Sequence, residues 1–315
     1  MDKKYFVGID LGGTFIKGGI VREDGVILVS DKVPTGKELS AEGVAENIAS
    51  LAKDLIARAG LENKDVRGIG IGAPGMIDSK TGVVIYWNNL RWRNFAIGAV
   101  VERFTGLPVK IANDANVAAL GEVKFGAARK YENAIMITLG TGVGGGIVVD
   151  GKLVEGNQGA GAELGHSVIV AGGKACTCGR KGCLEAYASA TALIRDTKEM
   201  MEKHKDSKMW SVGGLENVDG KTAFDYYETD DYAKEVVDSY IAHLGCGLTN
   251  FANIFRPDVI ILGGGVCAQG ETLVKPLQKI VDEELFAGKM GPQVPVLIAE
   301  LGNSAGLLGA AALWL

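Results

Sequence analysis

The chain has 315 residues and a mass of 33.0 kDa, which at about 150 residues per domain fits two domains or one large α/β unit. Lysine and arginine number 33 against 38 aspartate and glutamate, a net charge of −5, so no excess of positive charge is available to neutralise a nucleic-acid backbone. Apolar residues at 47 % and charged residues at 23 % argue against disorder, and the 46 glycines, about twice the ordinary usage of roughly 7 %, point to several tight turns or close approaches to a ligand.

The first ten residues lack the pattern of a secretion signal, and the longest apolar tract, Ala305 to Leu315, is too short for a bilayer and is broken by Gly306 and Gly309. A cytoplasmic protein without a membrane partner is expected, with that tract as a buried terminal helix. Phe6 to Leu11 reads as a strand, Gly12-Gly13-Thr14 turns it into a second run at Gly18 to Val21, and Asp24-Gly25 sends the chain into a third at Val26 to Val29. Ala41 to Ala59 carries Val44, Ile48, Leu51 and Leu55 at helical spacing, with Ser40 placed to cap it and Gly60 to end it. Short buried strands follow at Arg67 to Gly72 and Pro108 to Ala112, the second running through Asn113-Asp114-Ala115-Asn116 into a helical run from Val117 to Val123.

The opening device then recurs at Ile135 to Leu139, Gly140-Thr141, Gly145 to Val149 and an Asp150-Gly151 turn, and Gly13-Thr14 and Gly18 to Val21 superpose on Gly140-Thr141 and Gly145 to Val148 without a gap. Two copies of one motif suggest two related lobes. Beyond them, helices are predicted over Leu184 to His204 and Asp231 to Phe255, strands over Asp258 to Leu262 and Val294 to Ala299, and a loop-like surface excursion over Lys205 to Thr229. Buried strands alternating with helices make the class α/β.

Three motifs are rejected on context. Gly140 to Gly146 is followed by a strand and not by the helix that a dinucleotide fingerprint must open. Gly220-Lys221-Thr222 lacks the upstream glycine and the buried strand of a P-loop. Gly302 to Gly306 looks like a nucleophile elbow, yet no acid or histidine follows it, so Asn303 or Ser304 is read as a helix cap. What survives is a pair of Gly-Thr turns able to offer N–H and hydroxyl donors to phosphate, with Lys17 as a nearby cation and Asp10 as a Mg²⁺ anchor. His166, Cys176, Cys178 and Cys183 supply one imidazole and three thiols, a donor set for a tetrahedral, structural zinc, and Glu163 and Glu185 flank it in sequence. Cys246 and Cys267 read as core residues. Asp114 is open to two readings, as part of an N-cap box or as a carboxylate at the carboxyl end of a strand, where α/β sheets place ligands.

Asp10-Leu11-Gly12-Gly13-Thr14, Gly72-Ala73-Pro74-Gly75-Met76-Ile77-Asp78, Asn113-Asp114-Ala115-Asn116, Leu139 to Gly146, Glu163-Leu164-Gly165-His166, the cluster from Cys176 to Glu185, Leu262 to Gly265 and Gly302 to Gly306 resemble, in order and over essentially the whole chain, the ROK family of sugar kinases. Within it the chain is most similar to the bacterial ATP-dependent glucokinases. The resemblance implies an actin-like (ribonuclease H-like) two-lobe ATPase fold, with residues 1–112 and the terminal helix 303–315 in one lobe and 113–302 in the other. It implies that Asp114 is the general base for the sugar 6-hydroxyl, and that Gly75, Asn89, Asn113, Glu163, His166 and Glu185 bind the sugar with it. Of the neighbours Asn88 and Asn89, Asn89 is the one taken. ATP and Mg²⁺ are assigned to Asp10, Gly12, Gly13, Thr14, Lys17, Thr141, Gly142, Gly264 and Gly265, and a structural Zn²⁺ to the three cysteines and His166, whose imidazole it would position. A homodimer is implied. The helix-turn-helix that family repressors carry ahead of this region is not expected, because only nine residues precede Asp10. A kinase for N-acetylmannosamine, fructose or allose, or a sugar sensor without catalysis, are the alternatives carried forward.

Overall fold

The computed structural model describes residues 4–87 and 90–315, so Asn89 lies outside the described residues. In chain order the elements are β1 (Tyr5–Leu11), β2 (Phe15–Arg22), β3 (Ile27–Pro34), α1 (Ala41–Arg58), β4 (Val66–Ala73), β5 (Met76–Asp78), β6 (Val83–Trp87), β7 (Trp92–Phe95), α2 (Ile97–Thr105), β8 (Val109–Asn113) and α3 (Asp114–Phe125). They continue as β9 (Ala134–Leu139), β10 (Val143–Val149), β11 (Lys152–Leu153), α4 (Glu185–Ala188), α5 (Ala190–Lys203), α6 (Thr222–Asp225), α7 (Asp231–Phe255), β12 (Val259–Gly263), α8 (Glu271–Glu284), β13 (Val296–Ile298) and α9 (Ala305–Ala312). Among the described residues no helix is long and apolar enough to cross a membrane.

The chain divides into two compact units. One is Met1–Asn133 with Gly146–Ala162 and Glu300–Leu315; the other is Ala134–Gly145 with Glu163–Ala299. The position between residues 112 and 113 lies inside the first unit, within β8.

In the first unit the sheet order is β3-β2-β1-β4-β8, with β1 antiparallel to β2 and parallel to β4. β1 is central because Phe6, Val7, Ile9 and Leu11 are buried on both faces. Ser40 caps α1, its hydroxyl accepting from the Gly43 N–H, and the helix buries Val44, Ile48, Leu51 and Leu55 as the spacing predicts. On the sheet's other face α9 lies at backbone contact: a Cβ at Gly8 would fall 2.1 Å from the Leu307 carbonyl oxygen, and one at Gly70 1.8 Å from that of Ala310. A Cβ at Gly309 would in turn meet the Val117 carbonyl of α3 at 1.6 Å. Glycine here lets two helices and a sheet approach more closely than side chains allow. This packing keeps α3 with the first unit.

The second sheet has the order β11-β10-β9-β12-β13, with β12 parallel to β9 and to β13. All five residues of β12 are buried. The duplicated opening therefore yields two sheets of the same strand order.

Several elements differ from the sequence reading. The predicted helix from Leu184 to His204 is two, because Ser189 takes an extended conformation (ψ 161°) and caps α5 through the Ala192 N–H. The excursion over Lys205 to Thr229 is not simply loop; it holds 3₁₀ turns and α6 and buries Met209 and Phe224. Helices α2 and α8 and the β5-β6-β7 meander, tied by edge-on Trp87 and Trp92 with ring centres 5.0 Å apart, are additions to the sequence reading. Ser304 stands at the start of α9 but makes no side-chain cap. Cys267 is buried as a core residue, whereas Cys246 is only half-buried.

Candidate active site

In the first unit the turn between β1 and β2 is Gly12-Gly13-Thr14. Buried Thr35 staples it, donating its hydroxyl to the Gly12 carbonyl (2.7 Å) and its N–H to that of Thr14 (2.9 Å). Thr14 is left exposed. Asp10, at the end of β1, is 3.2 Å from the Lys17 ammonium and lies against the first turn of α9, where a Cβ at Gly306 would come within 2.9 Å of its carboxyl carbon. One part-exposed carboxylate at a strand end fits Mg²⁺, which takes one or two protein oxygens and fills its shell with water and phosphate.

At the carboxyl end of β8, Asn113 and not Asp114 is the cap of α3. Its Oδ1 accepts from the N–H groups of Ala115 (2.9 Å) and Asn116 (3.3 Å), and its Nδ2 donates to the Gly75 carbonyl (3.1 Å). Asp114 follows as the first helical residue, half-buried, with one oxygen accepting from the Ala115 N–H (2.8 Å). The cap therefore falls on Asn113, and Asp114 stands beside it just past the carboxyl end of β8. Gly75 cannot carry a side chain: its φ is +96°, and a Cβ would lie 2.3 Å from the Tyr86 carbonyl oxygen.

In the second unit the corresponding turn, from Gly140 to Gly142, is held by a helix start. The Thr191 hydroxyl donates to the Thr141 carbonyl (2.7 Å) and the Ala190 N–H to that of Gly140 (2.8 Å). Glu185 reaches the turn as well, accepting from the Val143 N–H at 3.0 Å, and Gly142 makes room for it, since a Cβ there would sit 2.3 Å from the carboxylate. The other Glu185 oxygen accepts from the Thr177 hydroxyl at 3.1 Å. Glu163 is exposed just ahead of His166.

His166, Cys176, Cys178 and Cys183 converge, all four donor atoms lying within 4.8 Å of one another. The Cys178 and Cys183 sulfurs are 3.7 Å apart, as are His166 Nδ1 and the Cys176 sulfur. A tetrahedral zinc with Zn–S bonds of about 2.3 Å sets its sulfurs roughly 3.8 Å apart, so the separation fits. Burial pushes the Cys183 thiol up to about 12, and a sulfur so placed is stable as a thiolate only beside a cation. Gly182, at φ +83°, makes the tight knuckle possible; a Cβ there would lie 1.7 Å from the Val170 carbonyl oxygen. Because His166 turns Nδ1 to the cluster, Nε2 is left on the far edge of the ring.

A cavity of about 350 Å³ in the same unit brings Thr141 together with Gly265, two of the nine residues of the expected nucleotide set. Gly264, at φ +94°, backs onto β9: a Cβ would lie 2.3 Å from the Leu139 carbonyl oxygen. A larger cavity, about 830 Å³ in the first unit near the carboxyl end of α3, contains none of the expected site residues. Thr35 and Thr191 were missed from sequence, because a hydroxyl that staples a distant turn leaves no spacing signal.

Residues 6–315 match the ROK family. A glucokinase of Halalkalibacterium halodurans is 39 % identical over 314 residues, 98 % of this chain and 94 % of that protein. A ROK hexokinase structure from Thermus thermophilus aligns with a TM-score of 0.84 at 36 % identity, covering 98 % of this chain and 97 % of that one. A ROK family glucokinase from Streptomyces griseus, solved in complex with glucose and AMPPNP, aligns at 0.78 with 38 % identity over 98 % of each chain. With two five-stranded α/β sheets of one order and a match along nearly its full length, the chain has the actin-like ATPase fold and belongs to the ROK family.

Proposed function

We propose that the chain is a sugar kinase that transfers the terminal phosphoryl group of ATP to the 6-hydroxyl of glucose, with Asp114 as general base. The observation that carries this reading is the division of labour at the start of α3. Asn113 satisfies the helix end, and the neighbouring carboxylate stands half-buried at the carboxyl end of a strand. Glucose as the substrate is supported by the likeness to the glucokinases of Halalkalibacterium halodurans and Streptomyces griseus.

In this reading Asp114 accepts the proton of the 6-hydroxyl as that oxygen bonds to the terminal phosphorus, the bridging P–O bond breaks and ADP leaves; the proton is then lost to water. Asn113, Gly75, Glu163, Glu185 and His166 Nε2 hold the remaining hydroxyls. Carboxylates suit this task because each accepts several hydroxyl protons, and acceptors left unpaired penalise a sugar of the wrong stereochemistry. The turns at Gly12–Thr14 and Thr141–Gly142 offer phosphate donors, Asp10 is the carboxylate offered to Mg²⁺, and Gly264 and Gly265 border the nucleoside. Bound Mg²⁺ neutralises phosphate charge. The four donors of the knuckle would hold Zn²⁺, and His166, with Nδ1 engaged there, would be kept in one orientation.

Asp114→Asn is expected to lower kcat by about 10²- to 10⁴-fold, the usual contribution of a general base, while glucose binding stays within a few-fold. Turnover near the wild-type rate would remove Asp114 from the role. A panel of hexoses with Mg-ATP, read by ADP release, should show glucose with the highest kcat/KM; N-acetylmannosamine, fructose or allose ahead of it would reassign the substrate, and no ADP release with any sugar would leave a binding protein.

A further inference from the structure

The segment between α5 and α7 is built more firmly than an idle surface excursion requires. Buried Asp230 anchors its ends, accepting from the Ser207 hydroxyl and the Lys208 N–H at 2.6 Å each and capping α7 through the Tyr232 N–H. Further along, the Asp219 carboxylate accepts from the Lys221 N–H, the Thr222 N–H and the Thr222 hydroxyl, each at 3.1 Å, while the Asp219 N–H donates back to that hydroxyl at 3.0 Å. This fixed turn, Asp219-Gly220-Lys221, forms one wall of the cavity that also takes in Thr141 and Gly265.

Lys221 is the one cation among the cavity's lining residues. It is exposed and forms no ion pair among the described residues, whereas Lys174 and Arg195 in the same unit both engage Asp196. The nearest carboxylate in sequence, Asp219, takes its three local donors on Oδ1, and no ion pair joins it to the Lys221 ammonium among the described residues. A free ammonium at the rim of a cavity that contains a Gly-Thr turn suits an anionic ligand. The Gly220-Lys221-Thr222 string is not a P-loop, because no strand precedes it and only the four-residue α6 follows; its lysine instead comes from a separate wall.

We propose that Lys221 is a binding residue for the phosphoryl donor, its ammonium contacting the phosphate chain of the nucleotide whose nucleoside enters this cavity. The inference rests on the kinase reading above and adds to it a residue that sets the donor's affinity through charge.

Lys221→Met keeps the length and removes the charge. It is expected to raise KM for ATP about tenfold, the lower range for a hydrogen bond to a charged group, with kcat and KM for glucose within twofold; Lys221→Arg should restore most of the loss. Calorimetric titration of the same variants separates charge from shape: ADP should bind about tenfold more weakly to Lys221→Met, and adenosine, which has no phosphate, should bind unchanged. Equal weakening of ADP and adenosine, or no weakening of either, would overturn the proposal. Gly265→Leu distinguishes this from failure of the wider reading, since a Cβ at Gly265 meets nothing within 4 Å and a side chain there fills the cavity without strain. If Gly265→Leu raises KM for ATP and Lys221→Met does not, only Lys221 is misassigned. If both leave it unchanged, the cavity is not the donor site.

Discussion

The two sheets share a strand order and differ in what holds them. In the first, the turn between β1 and β2 is stapled by Thr35 from the end of its own sheet, and α9 presses on β1 and β4 at backbone distance through Gly8 and Gly70. In the second, β12 fills its layer with Val259, Ile260, Ile261 and Leu262, and the turn between β9 and β10 is gripped from outside, by Thr191 and Ala190 at the start of α5 and by Glu185 from the cysteine knuckle. Both sheets thus combine apolar packing with a threonine staple, and what sets the second unit apart is the four-donor knuckle beside its turn.

Zinc removal should open the widest gap between them. Isolated zinc knuckles gain about 10–16 kcal/mol of apparent binding energy, so Cys183→Ser should drop the metal from about one per chain to none. Hydrogen exchange should then rise sharply over residues 163–190, while β1, β4 and α9 keep their protection. Uniform loss of protection, or none, would break the contrast. The reverse lesion is Gly70→Ala. Its Cβ would lie 1.8 Å from the Ala310 carbonyl oxygen, a backbone atom that cannot rotate away. Overpacking of this kind costs roughly 1–3 kcal/mol, and the loss should appear as a lower Tm with zinc content unchanged. A variant as stable as the parent would show that α9 has slack.

Legibility in the sequence followed the same division. Core-braced elements announce themselves by periodicity: α1 at Val44, Ile48, Leu51 and Leu55, and α7, whose predicted span of Asp231 to Phe255 is the one observed. Helix α8 hid because Pro276 sits inside it and no side chain caps its start. The duplicated turns were visible because they need glycine, and the zinc donors because cysteines so closely spaced have few other uses. The donors that complete the site were not visible. Thr177 and Thr191 owe their positions to folded neighbours, and a lone threonine in a polar stretch looks like any solvated residue, whereas Lys221 stood out only in a string that is no P-loop.

The smallest predicted effect concerns acid. In the first unit Asp24 is held down to about 2 and Asp31 below its ordinary value, chiefly by hydrogen bonds from the exposed guanidinium groups of Arg22 and Arg58. In the second, burial alone would raise Asp230, but the Ser207 hydroxyl and the N–H groups of Tyr232, Lys208 and Met209 outweigh it and leave the carboxyl below the ordinary value. All three groups are depressed on folding, so each contributes stability that is present above the unfolded value near 4 and is lost as pH falls through the folded one. Their response to salt should differ. Exposed pairs are screened, with a Debye length of only about 3 Å at 1 M, whereas neutral donors around a buried carboxylate carry no net charge to screen. Loosening of residues 205–229 below about pH 4, followed by limited proteolysis, should therefore be the same in low salt and in 1 M salt. It should be weakened in Asp230→Asn, which is already uncharged at neutral pH. If high salt abolishes that acid response, the anchor of the Lys221 wall is held by long-range charge and not by the four donors around Asp230.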